Sequence, residues 1–305
     1  MPELPEVEVL VRHLSPLLKG KVITAIRVHR TKVLRPTTPP EFRLALRGAR
    51  FTGLSRRGKY LVFALQPPGK RAPLKLLGHL GMTGRMYLAP ANATRPKHAA
   101  VVLGLGRQSF IYEDTRYFGR LTLDTSALTK LGPEPLARGF APAALSRALS
   151  RSTQAIKVKL LDQAVVAGLG NIYASEVLFR ARVSPLLPAR RLAAKQIHRL
   201  WRAIRQVLAE AIACGSTVPL NHAGRGKRDG RFYFGRDAGA PDFYTERLRV
   251  YDREGKPCCR CGASIKRVVQ AARSTYFCPR CQRQRGSGMA KSGKANRVDA
   301  RNGGL

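Results

Sequence analysis

The chain has 305 residues, 44% of them apolar, which is enough for two or three domains with real cores and too much for a disordered protein. Lysine and arginine number 56 against 18 aspartates and glutamates, a formal net charge of +38. A charge that large repels itself in a compact fold, which argues against a small-molecule enzyme and for a polyanionic partner. Nucleic acid is the first candidate, and a basic membrane-surface or ribosome-associated protein is the other reading.

In chain order, Val7, Leu10, Val11, Leu14, Leu17 and Leu18 recur at helical spacing, with Pro5 near the helix start and Gly20 as the stop. Residues 22–124 then carry short β-rich runs, among them 60–65, 74–80, 99–105 and 119–123, punctuated by glycine and proline as in a sandwich or barrel. The segment LGPEPL at 131–136 breaks that pattern, and an alanine- and leucine-rich helical region follows to about Ala213. Within it two helices are expected, over 154–167 and 171–182, separated only by Gly168-Leu-Gly170. Residues 219–246 read as a basic, glycine-rich loop, and residues 285–305 as a tail too poor in apolar side chains to fold. No run approaches 18 apolar residues, and no secretory leader opens the chain, so a cytoplasmic protein without a membrane span is expected.

Five of six cysteines fall between 258 and 281. The spacing Cys258-x2-Cys261, then Cys278-x2-Cys281, matches tetrahedral coordination of one structural zinc ion, while Cys259 and Cys214 read as spare thiols. Lys266, Arg267 and Arg273 between the knuckles make this module basic. Glu3, Glu6 and Glu8 crowd the first eight residues of a chain that has few acids. Complementing the helix dipole accounts well for Glu6 and Glu8, and less well for Glu3. Removal of the initiator methionine would leave Pro2 as a free secondary amine, partly neutral near pH 8. Such an amine can attack an aldehyde-level sugar carbon and give a cationic iminium, with Glu3 moving protons.

The opening PELPEVE at 2–8 resembles the N-terminus of the formamidopyrimidine-DNA glycosylase family. The resemblance continues in order through HLGMTG at 79–84, TRYFG at 115–119, LGPEPL at 131–136, GLGNIYASE at 168–176 and the zinc knuckles. It implies an α+β multidomain fold: a β-sandwich flanked by helices over 1–133, a helix-two-turn-helix domain over 134–246 that includes the lesion-covering loop 219–246, a β-hairpin zinc finger over 247–284, and a basic tail over 285–305. The implied activity is base excision repair of damaged double-stranded DNA by a monomeric, nucleoid-associated enzyme. Oxidised purines such as 8-oxoguanine and formamidopyrimidines would leave through a Pro2 Schiff base, followed by β,δ-elimination, with no catalytic metal or organic cofactor.

By the same resemblance Pro2 is the nucleophile, Glu3 the acid-base residue, Lys59 the lysine used in β-elimination and in contacting phosphate, and Arg273 the zinc-finger arginine that contacts phosphates around the lesion and assists δ-elimination. Lys157, Asn171 and His98 are further DNA contacts. Met82, Arg116 and Phe118 are the wedge that fills the duplex when the lesion is extruded. Taken alone, Lys59 reads as a solvated turn lysine, Asn171 as a helix N-cap, and Met82 and Phe118 as core. The chain departs from the pattern at Tyr117, at Ser152, whose DNA contact is assigned to neighbouring Arg151, and in the long loop 219–246. Leu4 favours the purine-lesion branch over the endonuclease VIII group, which keeps the Pro2 and Glu3 chemistry. An endonuclease VIII-like glycosylase and a noncatalytic DNA-binding protein are the competing readings.

Overall fold

The computed structural model describes residues 2–214 and 247–283; the expected loop over 219–246 and tail over 285–305 lie outside the described residues. The first helix, α1 (Leu4–Leu18), carries Pro5 in its first turn, and the Glu3 N–H donates to the Glu6 carboxylate at 2.8 Å, a reciprocal cap at the helix entry. Its buried stripe of Val7, Leu10, Val11, Leu14 and Leu18 packs into the sandwich core, while Leu4 packs into the helical core. One helix thus ties two cores together.

Two four-stranded antiparallel sheets form the sandwich. The first has the order β1 (Ala25–Val28), β6 (Ala99–Gly104), β7 (Gln108–Asp114), β5 (Gly84–Pro90). The second has β2 (Arg50–Arg57), β3 (Tyr60–Gln66), β4 (Leu74–His79), β8 (Arg120–Thr122). A short helix, α2 (Pro39–Leu46), lies between β1 and β2, with a Thr38 and Glu41 capping box at its start. In β3 burial alternates strictly, so Leu61, Phe63 and Leu65 point inward. Phe63 meets Phe51 and, from the opposite sheet, Phe110, with ring centroids 6.0 and 5.6 Å apart.

The helical unit comprises α3 (Pro142–Leu149), α4 (Ile156–Leu160), α5 (Asn171–Ala181) and the long amphipathic α6 (Ala194–Ala213). The helix expected over 154–167 is corrected here: only α4 is helical, and residues 161–170 are turns. Polar side chains take the backbone groups that a continuing helix would use. Asp162 accepts the Ala164 N–H, and Gln163 accepts the Gly168 N–H while donating to the carbonyls of Leu161 and Leu169. The last element is a hairpin, β9 (Lys266–Gln270) and β10 (Arg273–Phe277), that packs against α5. Among the described residues no helix is long and apolar enough to cross a membrane.

Candidate active site and nucleic-acid interface

The site is built where α1 begins. The Leu4 N–H donates to the Gly168 carbonyl at 3.1 Å, which pins the buried Pro2 and Glu3 against the amino end of α5. The Glu3 carboxylate, 1% exposed, accepts the N–H groups of Gly170, Ile172 and Tyr173 at 2.6, 2.9 and 3.4 Å. It therefore caps a helix 167 residues away in sequence, at the positive end of the α5 dipole. Glu6, also buried, accepts the Tyr173 hydroxyl at 2.7 Å. Burial pushes the Glu3 carboxyl above its ordinary range, against the pull of Lys59 and of its backbone donors.

Two glycines make this approach possible. Gly168 lies at φ +93°, and a Cβ there would sit 2.6 Å from the Leu4 side chain; a Cβ on Gly170 would fall inside the Glu3 carboxylate. Lys59 occupies the two-residue turn between β2 and β3, beside Gly58 at φ +56°. That turn is tied down by Glu134, which accepts the Gly58 N–H at 2.5 Å and pairs with Arg56 and Arg57 at 2.8 and 3.1 Å. Arg56 also pairs with Glu8 at 2.8 Å. Lys59 is buried, and burial lowers its pKa, partly offset by the Glu3 charge and reinforced by Arg273. The groove below the turn is lined by Lys59, Tyr60, His79, Lys130 and Gln163, and burial drives His79 down to about 4, with Lys59 and Arg120 adding to the effect.

Arg273 enters from the hairpin. Ala271 and Ala272 form its turn at φ +46° and +56°, a left-handed pair that costs alanine roughly 1–2 kcal/mol per residue and delivers the exposed Arg273 at the start of β10. Lys157 is 1% exposed, and its Nζ donates to Asn171 Oδ1 at 2.5 Å, the Ser274 carbonyl at 2.9 Å and Thr275 Oγ1 at 2.9 Å. Asn171 Nδ2 donates to the same Ser274 carbonyl at 3.0 Å. The N-cap alternative for Asn171 is thus corrected: Gly170 is the cap position, Glu3 supplies the capping carboxylate, and Asn171 faces the hairpin. Burial brings Lys157 down to about 8.

Met82 and Phe118 are 46% and 50% exposed, so neither is core. Arg116 joins them, with its guanidinium 4.8 Å from the Phe118 ring centroid and Nη1 3.4 Å from the Met82 sulfur. Asp114 organises both loops, accepting from Thr83 Oγ1 at 2.6 Å and from the Arg116 and Gly119 N–H groups at 3.1 and 2.9 Å. His98 reaches the same place through its carbonyl, which accepts the Asp114 N–H, and its ring lies 6.5 Å from that of Tyr117. Arg151 is exposed in the turn after α3 and makes no hydrogen bond to these groups among the described residues.

Cys258, Cys261, Cys278 and Cys281 hold their sulfurs within 4.8 Å of one another, with Cys258–Cys281 at 3.9 Å and Cys261–Cys278 at 3.5 Å. A tetrahedron with Zn–S bonds of about 2.3 Å has sulfur–sulfur edges of about 3.8 Å, so the donor set fits zinc. The N–H groups of Arg260 and Cys281 point at Cys258 and Cys278 sulfurs, as stabilised thiolates require. Cys259 is exposed and stands outside the cluster.

The acids carry most of what sequence reasoning missed. Glu6 and Glu8 do more than complement a dipole, since one braces Tyr173 and the other holds Arg56. Glu134 and Asp114 were not singled out. Glu176, buried in α5, accepts the N–H groups of Arg249, Val250 and Tyr251 at 2.9, 2.9 and 2.8 Å and anchors the strand of chain that leads to the zinc knuckles. Their scarcity in a +38 chain was the available signal.

Similarity to known proteins runs along most of the chain. The chain matches the Formamidopyrimidine-DNA glycosylase N-terminal domain over residues 1–121, the Formamidopyrimidine-DNA glycosylase H2TH domain over 131–220, and the zinc finger found in FPG and IleRS over 255–284. Formamidopyrimidine-DNA glycosylases of Chloroflexus aurantiacus and Thermus thermophilus are each 42% identical to it over 290 residues, 92% of this chain and 98% of theirs. Among solved structures it is similar to the Lactococcus lactis FPG mutant G226P in complex with Fapy-dG-containing DNA, with TM-score 0.81, 33% identity, and coverage of 93% of this chain and 100% of that one. A MutM complex with DNA containing carbocyclic 8-oxo-G gives TM-score 0.80 at 34% identity, over 93% of this chain and 100% of that one. The chain belongs to the formamidopyrimidine-DNA glycosylase family.

Proposed function

We propose that this protein removes oxidised purines from double-stranded DNA and then cuts the strand at the resulting site, with Pro2 as the nucleophile. The observation that carries the proposal is the buried Glu3 carboxylate beside Pro2, fixed by the N–H groups of Gly170 and Ile172 and charge-coupled to Lys59. The neutral Pro2 amine attacks the anomeric carbon. The bond from that carbon to the base breaks, and the base leaves with the electron pair and takes up a proton. Glu3, whose raised pKa keeps a larger protonated fraction toward neutral pH, gives a proton to the ring oxygen as the sugar opens; the amine loses its own proton and becomes an iminium. With that electron sink in place, loss of the C2′ proton expels the 3′ phosphate and loss of the C4′ proton expels the 5′ phosphate. Water then hydrolyses the iminium and frees the Pro2 amine. Lys59, with its lowered pKa, is the group available to take those protons.

Met82, Arg116 and Phe118 are the side chains that enter the stack when the lesion is extruded, and Arg116 can hydrogen-bond the orphaned base. Arg273, His98, Lys157, Asn171 and Arg151 contribute along the backbone, Lys157 and Asn171 by holding the hairpin that presents Arg273. The four cysteines hold one structural zinc ion that keeps the hairpin folded, and the reading assigns no catalytic metal or organic cofactor. The protein works as a cytoplasmic, nucleoid-associated monomer.

Borohydride trapping on a duplex containing 8-oxoguanine opposite cytosine tests the proposal. The expected result is a covalent adduct that maps to Pro2, lost when the Pro2 amine is acetylated. A Lactococcus lactis Fpg has been solved with DNA containing an oxidised pyrimidine. An adduct with such a lesion but none with 8-oxoguanine would therefore reassign the substrate class, and turnover unchanged by acetylation would remove Pro2 from the mechanism.

A further inference from the structure

At the far end of α5 lies a second concentration of positive charge. The helix spans 11 residues, or ~16 Å, from the Glu3 clasp at its amino end to Arg182 at its carboxyl cap. There a groove of about 800 Å³ opens between the start of α6 and the second zinc knuckle. Six cations line it: Arg182, Arg191, Lys195, Arg199, Arg280 and Arg283. All six are exposed, and no carboxylate among the described residues lines the groove.

The chain does pair its cations elsewhere. Arg56, Arg57 and Arg180 each hold a glutamate, whereas none of these six has a carboxylate partner within 4.0 Å among the described residues. Arg182 has a local reason to be basic, because a cation at a helix carboxyl end offsets the dipole. Lys195 has the opposite placement, in the first turn of α6, where its charge adds to the positive end of the helix and disfavours the fold. The groove is also held from both sides. Gln282 ties the knuckle to the end of α5 by donating to the Val183 carbonyl at 2.9 Å while accepting the Cys278 N–H at 2.9 Å.

We propose that this groove binds the phosphate backbone of a second DNA segment while the first occupies the lesion site. Six unpaired cations facing one concavity without an acid match a run of phosphates, which supplies affinity without sequence information. The arrangement lets the protein hold a neighbouring duplex as it searches, so that transfer between segments need not pass through free protein.

The test uses the full chain, first saturated with one equivalent of a short duplex carrying a tetrahydrofuran abasic analogue, then titrated with a labelled undamaged duplex of equal length in sedimentation velocity. The expected result is a second equivalent bound at low salt. The triple variant Lys195→Ala, Arg199→Ala, Arg280→Ala should lose that equivalent, and its salt slope for undamaged DNA should fall by about 2.7 if each cation meets one phosphate. Trapping on 8-oxoguanine duplex should stay within about twofold, which separates this proposal from the assignment of the active site. A triple variant that still binds the second duplex with an unchanged slope would overturn the proposal. So would displacement by inorganic phosphate at equal phosphate concentration, which marks a small-anion site.

Discussion

At the Glu3 clasp a carboxylate has its backbone donors in place before any substrate arrives, whereas at the Met82, Arg116 and Phe118 cluster two large apolar side chains stand half in water. The two regions are prepared in opposite senses. The clasp is satisfied in the free protein, so the proposed chemistry would begin with its acid already oriented and desolvated. The cluster is unsatisfied, since each exposed apolar side chain forgoes burial worth roughly 25 cal/mol per Å², which insertion between bases would restore under the proposed function. Folding stability and DNA affinity should therefore respond in opposite patterns to changes at the two places.

The largest effect is expected at Glu3. Glu3→Gln keeps the shape but replaces one acceptor with an amide donor that faces the Gly170 or Ile172 N–H. Base excision in single turnover should fall by about 10²- to 10⁴-fold through loss of the proton donor. The fold should lose about 1–3 kcal/mol in denaturant titration because a buried N–H loses its partner. Full excision activity would show that Glu3 is only a cap. Gly170→Ala sharpens the point, because Gly170 sits at φ −132°, a conformation alanine adopts freely, so only the clash with Glu3 matters. A displaced acid should cost excision about 10²-fold, with undamaged-duplex binding retained; an unaffected rate would mean that the carboxylate position is not critical.

Part of this contrast was readable beforehand and part was not. The 3.6-residue period gave α1, and the β-rich run 60–65 between glycine and proline gave β3, although its unbroken apolar sequence does not show which face is buried. The cysteine spacing gave the metal cluster because two knuckles fix four thiolates locally. Nothing local ties Glu3 to Gly170, however, or Lys157 to Ser274, 117 residues away. Periodicity says that an apolar side chain is inside and is silent on which distant backbone group a buried carboxylate or ammonium will find. The same limit explains the overlong helix over 154–167, where apolar spacing suited a helix but Asp162 and Gln163 bonded the backbone into turns. The family resemblance named Lys157 and Asn171 as DNA contacts, and the geometry adds that they brace the hairpin.

Lys157 offers the next prediction, of intermediate size. Its folded pKa, about 8, lies below the unfolded value for lysine, so between those two values the unfolded chain binds more protons than the fold. Stability therefore rises with pH across the window from about 8 to 10.5 and is flat, with that contribution lost, below 8. Lys157→Met should remove this slope: the difference in unfolding free energy between the parent and the variant should change between pH 8 and pH 10 in the parent's favour. A constant difference over that range would mean that Lys157 is not desolvated as its three partners suggest. Because Lys157 also fixes Ser274, the variant should reduce Arg273-dependent strand cleavage more than it reduces base release.

The smallest effect on the fold, and the inverse signature, belongs to Phe118. Removing a ring that is half exposed and lies under the Arg116 guanidinium should change unfolding free energy by no more than about 0.5 kcal/mol. The cost should appear only on DNA. Opening the stack costs a few kcal/mol, and the ring offsets part of it by filling the gap, so Phe118→Ala should slow lesion extrusion about tenfold, read as delayed 2-aminopurine fluorescence when that base flanks the lesion. Arg116 would also lose the face on which its guanidinium rests, so discrimination between partner bases should weaken along with the rate. A variant that is destabilised but extrudes normally would make Phe118 part of the loop's packing after all, and the contrast between a satisfied clasp and a waiting wedge would then fail at its second half.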